Sequence, residues 1–162
     1  MNIVFVSLAL NIHQAGISDE LYRLTHGKFR FIETGYNSVG EQKGGENEFA
    51  KRPYLVCTQN SRAGEVTAKQ LIREADVLIY GASPLKYLKE RVSTGKITFL
   101  YSERWLKRGL LNLLSPRLLQ QQWFYHTRCH RKPVYALCAS AYAAGDFTKM
   151  FSFKGKCFKW GY

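Results

Sequence analysis

The chain changes abruptly from apolar to small and polar residues at Val77-Leu78-Ile79-Tyr80-Gly81-Ala82-Ser83. The same change ends two later apolar runs, Ile97–Tyr101 and Val134–Cys138. Continuous apolar runs without alternation are typical of parallel strands that are buried on both faces of a sheet. Because ligands of open α/β sheets bind beyond the carboxyl ends of such strands, a functional site is predicted where these three runs end.

Strand-like and helix-like segments alternate along the chain. Strands are expected at residues 2–7, 28–32, 54–58, 76–80, 97–101, 134–138 and 156–160, and helices at 18–24, 63–75, 84–92 and 141–150. One or two more helices are expected between 104 and 132, with a break at Ser115–Pro116. The first helix is expected to begin at Ser18, because serine caps helices and the acids Asp19 and Glu20 suit the positive end of a helix dipole. This alternation predicts an α/β fold with one domain over residues 1–162. The expected architecture is a doubly wound, mostly parallel, Rossmann-like sheet with helices on both faces.

The positive charge is concentrated in the second half of the chain. The net charge is +12, and residues 85–162 contain fifteen Lys and Arg residues but only three acids, Glu90, Glu103 and Asp146. Such asymmetry predicts an anionic partner, either a nucleic acid, an acidic lipid or a phosphorylated small molecule. No run approaches the roughly 18 apolar residues of a membrane-spanning helix. The start of the chain has neither a basic leader nor a cleavage site, so a cytoplasmic protein is expected.

Several kinds of site are excluded by missing motifs. The turn after the first strand lacks the G-x-G-x-x-G pattern of dinucleotide-binding domains, and the chain contains no P-loop and no G-x-S-x-G elbow. The four scattered cysteines are expected to be reduced thiols. His126, Cys129 and His130 have helical spacing but lack a fourth ligand, so a solvated helix face is expected there instead of a zinc site. The sequence therefore predicts no metal and no NAD or FAD.

Three segments, taken together, carry a resemblance to a known enzyme family. They are Ala75–Gly81, Phe99–Gly109 and Ala139–Phe147, and the closing residues Lys159–Tyr162 fit as well. These segments resemble the amino-terminal domain of GT-B glycosyltransferases of the group 1, family 4-like type. The resemblance covers nearly the whole chain.

The resemblance implies a two-domain enzyme. The amino-terminal half of such enzymes binds a saccharide or lipid-linked acceptor, and the carboxyl-terminal half binds the nucleotide-sugar donor. The paired-glutamate motif of the donor domain has no counterpart in this sequence. The chain is therefore expected to be a fragment, or a natural subunit completed by a separate donor-domain chain, and to be inactive alone because transfer needs a closed cleft.

Two residues are predicted to take part in catalysis. Glu103 is an isolated acid in a basic neighbourhood that follows an apolar run directly, so it could orient or deprotonate an acceptor hydroxyl. The alternative is a salt bridge to Arg104, Lys107 or Arg108. His13 lies in the first loop, where the resemblance implies contact with acceptor and donor. The alternative is that His13 only caps or decorates an exposed loop.

Three further residues are predicted to bind the acceptor. Gln14 follows His13 in the first loop, and the resemblance implies that it contacts the acceptor. Ser83 and Ser140 follow strands at the predicted edge and could donate hydrogen bonds to a sugar or a phosphate. Serine in such a position is also a common helix cap, and Ser83 before Pro84 is expected to be one.

The segment 104–132 is predicted to form a patch for anions or a membrane surface. It contains seven Lys and Arg residues and no acid, interleaved with leucine and tryptophan, and begins with Arg104, Trp105, Lys107 and Arg108. Such a mixture suits a helix in the headgroup region of an anionic membrane. The same leucines could instead pack against the sheet. A nucleic-acid-binding module is the alternative function, favoured by the pI of 9.7 and the 14% aromatic content, although no nucleic-acid-binding motif is present.

Overall fold

A computed structural model describes residues 1–35, 49, 51–58, 62–107 and 109–160. Its strands form a parallel sheet with the order β3-β2-β1-β4-β5-β6-β7. The strands are β1 (Ile3–Ser7), β2 (Phe29–Glu33), β3 (Leu55–Cys57), β4 (Val77–Tyr80), β5 (Thr98–Ser102), β6 (Val134–Cys138) and β7 (Cys157–Lys159). The expected α/β fold with a parallel sheet is thus confirmed.

Helices lie on both faces of this sheet, as expected for a doubly wound fold. They are α1 (Ile12–Leu24), α2 (Arg62–Glu74), α3 (Leu85–Ser93), α4 (Pro116–Phe124) and α5 (Ala143–Lys149). A short 3₁₀ helix at Gly109–Leu114 precedes α4, and a π-helical turn at Tyr125–Cys129 follows it. None of the described helices is long and apolar enough to cross a bilayer.

Alternating side chains of the strands divide the core into two clusters. On one face, Val4 and Val6 of β1 pack with buried residues of α2, α3, α4 and α5. On the other face, Ile3 and Phe5 pack with Ala15 of α1 and with aromatic rings of β2. Because parallel strands are buried on both faces, each run of apolar residues supplies both clusters at once.

The first helix begins earlier than the sequence predicts. Asn11 is its cap, with a side-chain oxygen that accepts the His13 backbone N–H at 3.0 Å, so the expected cap at Ser18 is wrong. Ser18 lies in the middle of α1 and is fully buried. Packing of Ala15 against the sheet extends the helix through Gly16, where propensity alone favours a break. His13 and Gln14 therefore lie in the first turn of a helix.

The expected cap at Ser83 is also wrong. Pro84 occupies the capping position of α3 with an extended backbone, and no side chain caps this helix end. The Ser83 hydroxyl group instead lies 3.1 Å from the hydroxyl group of Thr34. At α4, by contrast, Ser115 and Pro116 take the cap and first helical positions, where the sequence predicted a break.

A buried arginine joins α2 and α3 to the sheet. Arg91 is fully buried, and its guanidinium group donates to one hydroxyl and four carbonyl oxygens: Thr98 Oγ1 and the backbone oxygens of Ile72, Ala75, Asp76 and Ile97, at 2.7–3.3 Å. Burial lowers the pKa of Arg91 to about 10, so the side chain stays charged at neutral pH. Three of these carbonyl groups end α2 or follow it, where the negative end of the helix dipole favours a cation.

Candidate functional site

All carboxyl ends of the strands lie at one edge of the sheet, because the strands are parallel. This carboxyl edge contains residues that lie within three positions of the strand ends: Ser83 after β4, Glu103 after β5 and Ser140 after β6. His13 and Gln14 lie in the first turn of α1, after β1. The predicted residues form two groups, one at β1, β2 and β4 and the other at β5 and β6.

The first group is held together by hydrogen bonds around Thr34. Its backbone N–H and its hydroxyl group both donate to the carbonyl oxygen of Ser7, at 2.9 and 3.0 Å. The Thr34 hydroxyl group also lies 3.1 Å from Ser83 Oγ. A side chain at Gly81 would place its Cβ 3.0 Å from Ser7 Oγ, so the small size of Gly81 allows the ends of β1 and β4 to approach closely. These contacts fix the position of Ser83.

A buried carboxylate, Glu33, lies at the end of β2 in the same group. It is 5% exposed, and its two oxygens accept the Leu10 backbone N–H at 3.1 Å and the Cys57 thiol at 3.4 Å. Partial burial and the negative charge of Glu33 raise the pKa of Cys57 to about 11. Glu33 was not predicted as a site residue, although, like Glu103, it lies at the end of an apolar run.

His13 and Gln14 have different surroundings, although they are neighbours. His13 is exposed, whereas Gln14 is 6% exposed. The side-chain oxygen of Gln14 is buried and has no hydrogen-bond partner among the described residues, and Ser18 Oγ, one turn later on the same helix, shares this condition. Buried oxygens without a partner are rare in folded proteins and often mark a place where a further group binds.

In the second group, Glu103 pairs with a lysine. Its carboxylate accepts a hydrogen bond from Lys107, four residues later, and both side chains are about half exposed. The salt bridge considered as the alternative for Glu103 is therefore present, with Lys107 as its partner. An exposed carboxylate with one exposed partner can still receive a hydroxyl group, because exposed ion pairs are weak.

The start of the basic segment is fixed by Asp146 of α5. This buried carboxylate accepts hydrogen bonds from the Arg104 guanidinium group at 3.2 and 3.3 Å and from the Leu106 backbone N–H at 3.0 Å. The hydrogen bond to Asp146, together with the negative charge of that carboxylate, raises the pKa of Arg104. Arg104 also lies over the ring of Tyr142, at 5.0 Å from its centroid. Asp146 was not predicted as a site residue, because its role depends on a partner 42 residues away.

Trp105 packs into the molecule and is only partly exposed. Its ring contacts Phe147 edge to face at 4.8 Å between centroids, and its N–H donates to Ser102 Oγ at 3.0 Å. Of the four residues predicted as an anion or membrane patch, Arg104 and Trp105 thus contact α5 or the strand end, and Lys107 pairs with Glu103. The fourth residue, Arg108, lies outside the described residues.

Ser140 lies beside the end of β5. The Ala139 backbone N–H donates to the Ser102 carbonyl oxygen at 3.0 Å, so the residues after β5 and β6 are neighbours. Ser140 Oγ is buried and has no hydrogen-bond partner among the described residues, and it does not cap α5, which begins three residues later. Two of the three predicted acceptor-binding residues, Gln14 and Ser140, therefore carry an unpartnered oxygen at the carboxyl edge.

No group of three or more His, Cys, Asp or Glu side chains that could hold a metal ion occurs within the described parts of the chain. Comparison with known proteins gives no match to a protein family, to a curated protein or to a solved structure.

Proposed function

We propose that this chain binds a saccharide or lipid-linked saccharide acceptor at its carboxyl edge, as the acceptor-binding domain of a glycosyltransferase. The observation that carries the proposal is that each of the two groups contains a buried, unpartnered oxygen, that of Gln14 in the first and that of Ser140 in the second. A sugar hydroxyl group can both donate and accept, so it matches an amide oxygen and a serine hydroxyl group equally well. The resemblance of three segments to the amino-terminal domain of GT-B glycosyltransferases supports the same function.

In this proposal, the donor nucleotide sugar binds to a second domain, in the same polypeptide or in a separate chain. The acceptor is held between the two groups of residues at the carboxyl edge. Glu103 receives the proton of the attacking hydroxyl group, and Lys107 moves away from the carboxylate as the acceptor enters. His13, exposed in the first turn of α1, lies on the side from which the donor approaches.

The first experiment measures acceptor binding by the chain alone. Saturation-transfer NMR with a panel of mono- and oligosaccharides, including phosphorylated ones, is expected to show binding at millimolar concentration. Ser140→Ala and Gln14→Leu are expected to weaken the signal, whereas Ser93→Ala, on the far end of α3, leaves it unchanged. Equal binding by all of these variants would contradict the proposed site.

A second experiment tests sugar transfer. The chain is combined with the donor-binding domain that the proposal requires, and release of nucleoside diphosphate is followed with a panel of nucleotide sugars. Transfer is expected only when both domains are present. If neither transfer nor nucleotide-sugar hydrolysis occurs with any donor, and no saccharide binds to the chain, the proposal is wrong.

A further inference from the structure

Five large apolar side chains are exposed on neighbouring elements of one region, which we call the apolar surface. They are Leu111 and Leu114 of the 3₁₀ helix, Leu119 and Trp123 of α4, and Phe151 after α5, with exposed fractions of 76%, 77%, 51%, 73% and 87%. Leu111 and Leu114 are one 3₁₀ turn apart, and Leu119 and Trp123 are one α-helical turn apart. Each pair therefore lies on one side of its helix.

A hydrogen bond connects Met150, the residue before Phe151, to α4. The Gln122 side-chain N–H donates to the Met150 carbonyl oxygen at 2.8 Å, and Met150 packs against Leu118. The residue before Phe151 is therefore fixed against the inner side of α4. Leu118 and Phe124 point inward from this helix and are buried, whereas Leu119 and Trp123 are exposed.

The backbone of Phe151 has an unusual conformation for an exposed aromatic residue. Its φ is +53°, the left-handed region in which glycine usually ends a helix. The backbone N–H groups of Phe151 and Ser152 close the last turn of α5 by bonding to Thr148 and Phe147. A phenyl ring at this position gains little from burial in the chain itself, because most of its area is exposed.

The charges around the apolar surface are positive. The chain has no acidic residue from 104 to 145. Exposed cationic side chains of the same region are Arg117, Arg128, Lys149 and Lys154. A groove of about 680 Å³ between α3 and α4 adds Lys89 and Lys132 beside Trp123.

We propose that the apolar surface inserts into the headgroup region of an anionic lipid bilayer, with the surrounding Lys and Arg residues contacting lipid phosphates. Leucine, tryptophan and phenylalanine with flanking cations are the combination that binds reversibly at such an interface. The residues proposed to contact the membrane differ from the patch predicted at the start of the basic segment, where Trp105 packs against α5. The inference is independent of the proposed function, since vesicle binding needs neither donor nor acceptor.

Vesicle sedimentation tests the inference with the purified chain. Binding is expected to vesicles that contain phosphatidylglycerol, with weaker or no binding to phosphatidylcholine alone. Trp123→Gln is expected to reduce the partition coefficient by about tenfold. Val66→Gln, which replaces an exposed apolar residue of α2, is the matched control and should change nothing.

Phe151→Gly separates membrane binding from folding. Glycine accepts the positive φ, so the melting temperature is expected to rise by about 2–5 °C while vesicle binding weakens. No binding to phosphatidylglycerol vesicles, or equal losses in Trp123→Gln and Val66→Gln, would overturn the inference. Salt-sensitive binding of an oligonucleotide in the absence of vesicle binding would also overturn it and assign the surface to nucleic acid.

Discussion

The hydroxyl groups of Thr34 and Ser83 lie 3.1 Å apart and connect the ends of β2 and β4 across β1. Thr34 also donates to the Ser7 carbonyl oxygen, so three strand ends share one hydrogen-bonded group. A serine predicted from the sequence to cap a helix is thus part of the carboxyl edge. The position of Ser83 at the candidate site follows from this contact.

A double-mutant cycle measures this contact. Ser83→Ala is expected to lower the free energy of unfolding by about 0.5–1.5 kcal/mol, because one hydrogen bond is lost. Thr34→Val costs more, since the bond to Ser7 is lost as well. Urea unfolding of both single variants and the double variant should give a coupling energy of about 0.5 kcal/mol or more. Strictly additive effects would show that the two hydroxyl groups do not interact.

Replacement of Arg91 by Met is expected to lower the free energy of unfolding by about 3–5 kcal/mol, since buried carbonyl groups lose their donor. Lys96→Met is the matched control. Lys96 also donates to carbonyl oxygens at the end of α2, of Arg73 and Glu74, but from an exposed position. Its loss is expected to cost much less. If urea unfolding gave similar losses of unfolding free energy for both variants, the burial of Arg91 would not explain its contribution.

Asp146→Asn is expected to destabilise the protein by about 3 kcal/mol, because the buried carboxylate holds both Arg104 and the Leu106 N–H. Asparagine keeps the shape but removes the charge. Arg104→Gln, which removes only the partly exposed partner, should have a smaller effect. Thermal unfolding measures both changes. A larger loss of stability in Arg104→Gln than in Asp146→Asn would show that the Asp146 carboxylate is not the main stabilising group here.

Stability is expected to fall at alkaline pH through the buried thiols. Burial raises the pKa of Cys129 to about 12 from its ordinary value of 9.0. The folded protein therefore keeps a proton that the unfolded chain loses above pH 9. The contribution of the protonated Cys129 thiol to the free energy of unfolding is complete below pH 9 and disappears as the pH approaches 12. For Cys129, the loss by pH 10.5 is on the order of 1–2 kcal/mol.

Urea unfolding of the wild type and Cys129→Ala, near pH 8 and again in the alkaline window, separates this effect from packing. The alanine variant loses packing energy at both pH values, so only the difference between the two values reports on the thiol. A smaller alkaline loss in Cys129→Ala than in the wild type is expected. Equal losses would assign the alkaline sensitivity to other groups, such as Tyr80, whose pKa burial also raises.

In the two-domain enzyme that we propose, Glu103→Gln is expected to reduce kcat by about 10²–10⁴-fold with little change in KM, because the proposed general base is lost. Lys107→Gln removes the partner of Glu103 and is the matched control. It should leave at least most of the activity. Steady-state kinetics at a saturating donor concentration give kcat and KM for each variant. Equal activity of Glu103→Gln and the wild type would remove Glu103 from the mechanism.

The strands could be predicted because their signal is local. Val77–Tyr80 and Val134–Cys138 are continuous apolar runs, and both are buried parallel strands in the structure. The break predicted at Ser115–Pro116 is also confirmed, since the 3₁₀ helix ends before it and α4 begins there. In each case neighbouring residues along the chain carry the information, and tertiary contacts agree with them.

The residues that were missed depend on contacts between distant parts of the chain. In the sequence, Arg91 looks like an ordinary surface arginine of a helix. In the folded protein it is surrounded by the end of α2 and the start of β5. Ser18 looks like a helix cap, but α1 packs against the sheet and continues through it. No local pattern gives Phe151 a positive φ, because glycine is the residue expected there.

The order of the sheet also has a consequence during synthesis. Ile3 pairs with Phe29 on one side, but its neighbour on the other side is Val77. At about 5–20 residues per second, the ribosome needs roughly 4–15 s to add that second neighbour. Throughout this interval one edge of the nascent β1 has no β4 to pair with, so this apolar strand edge is open to chaperones and to aggregation.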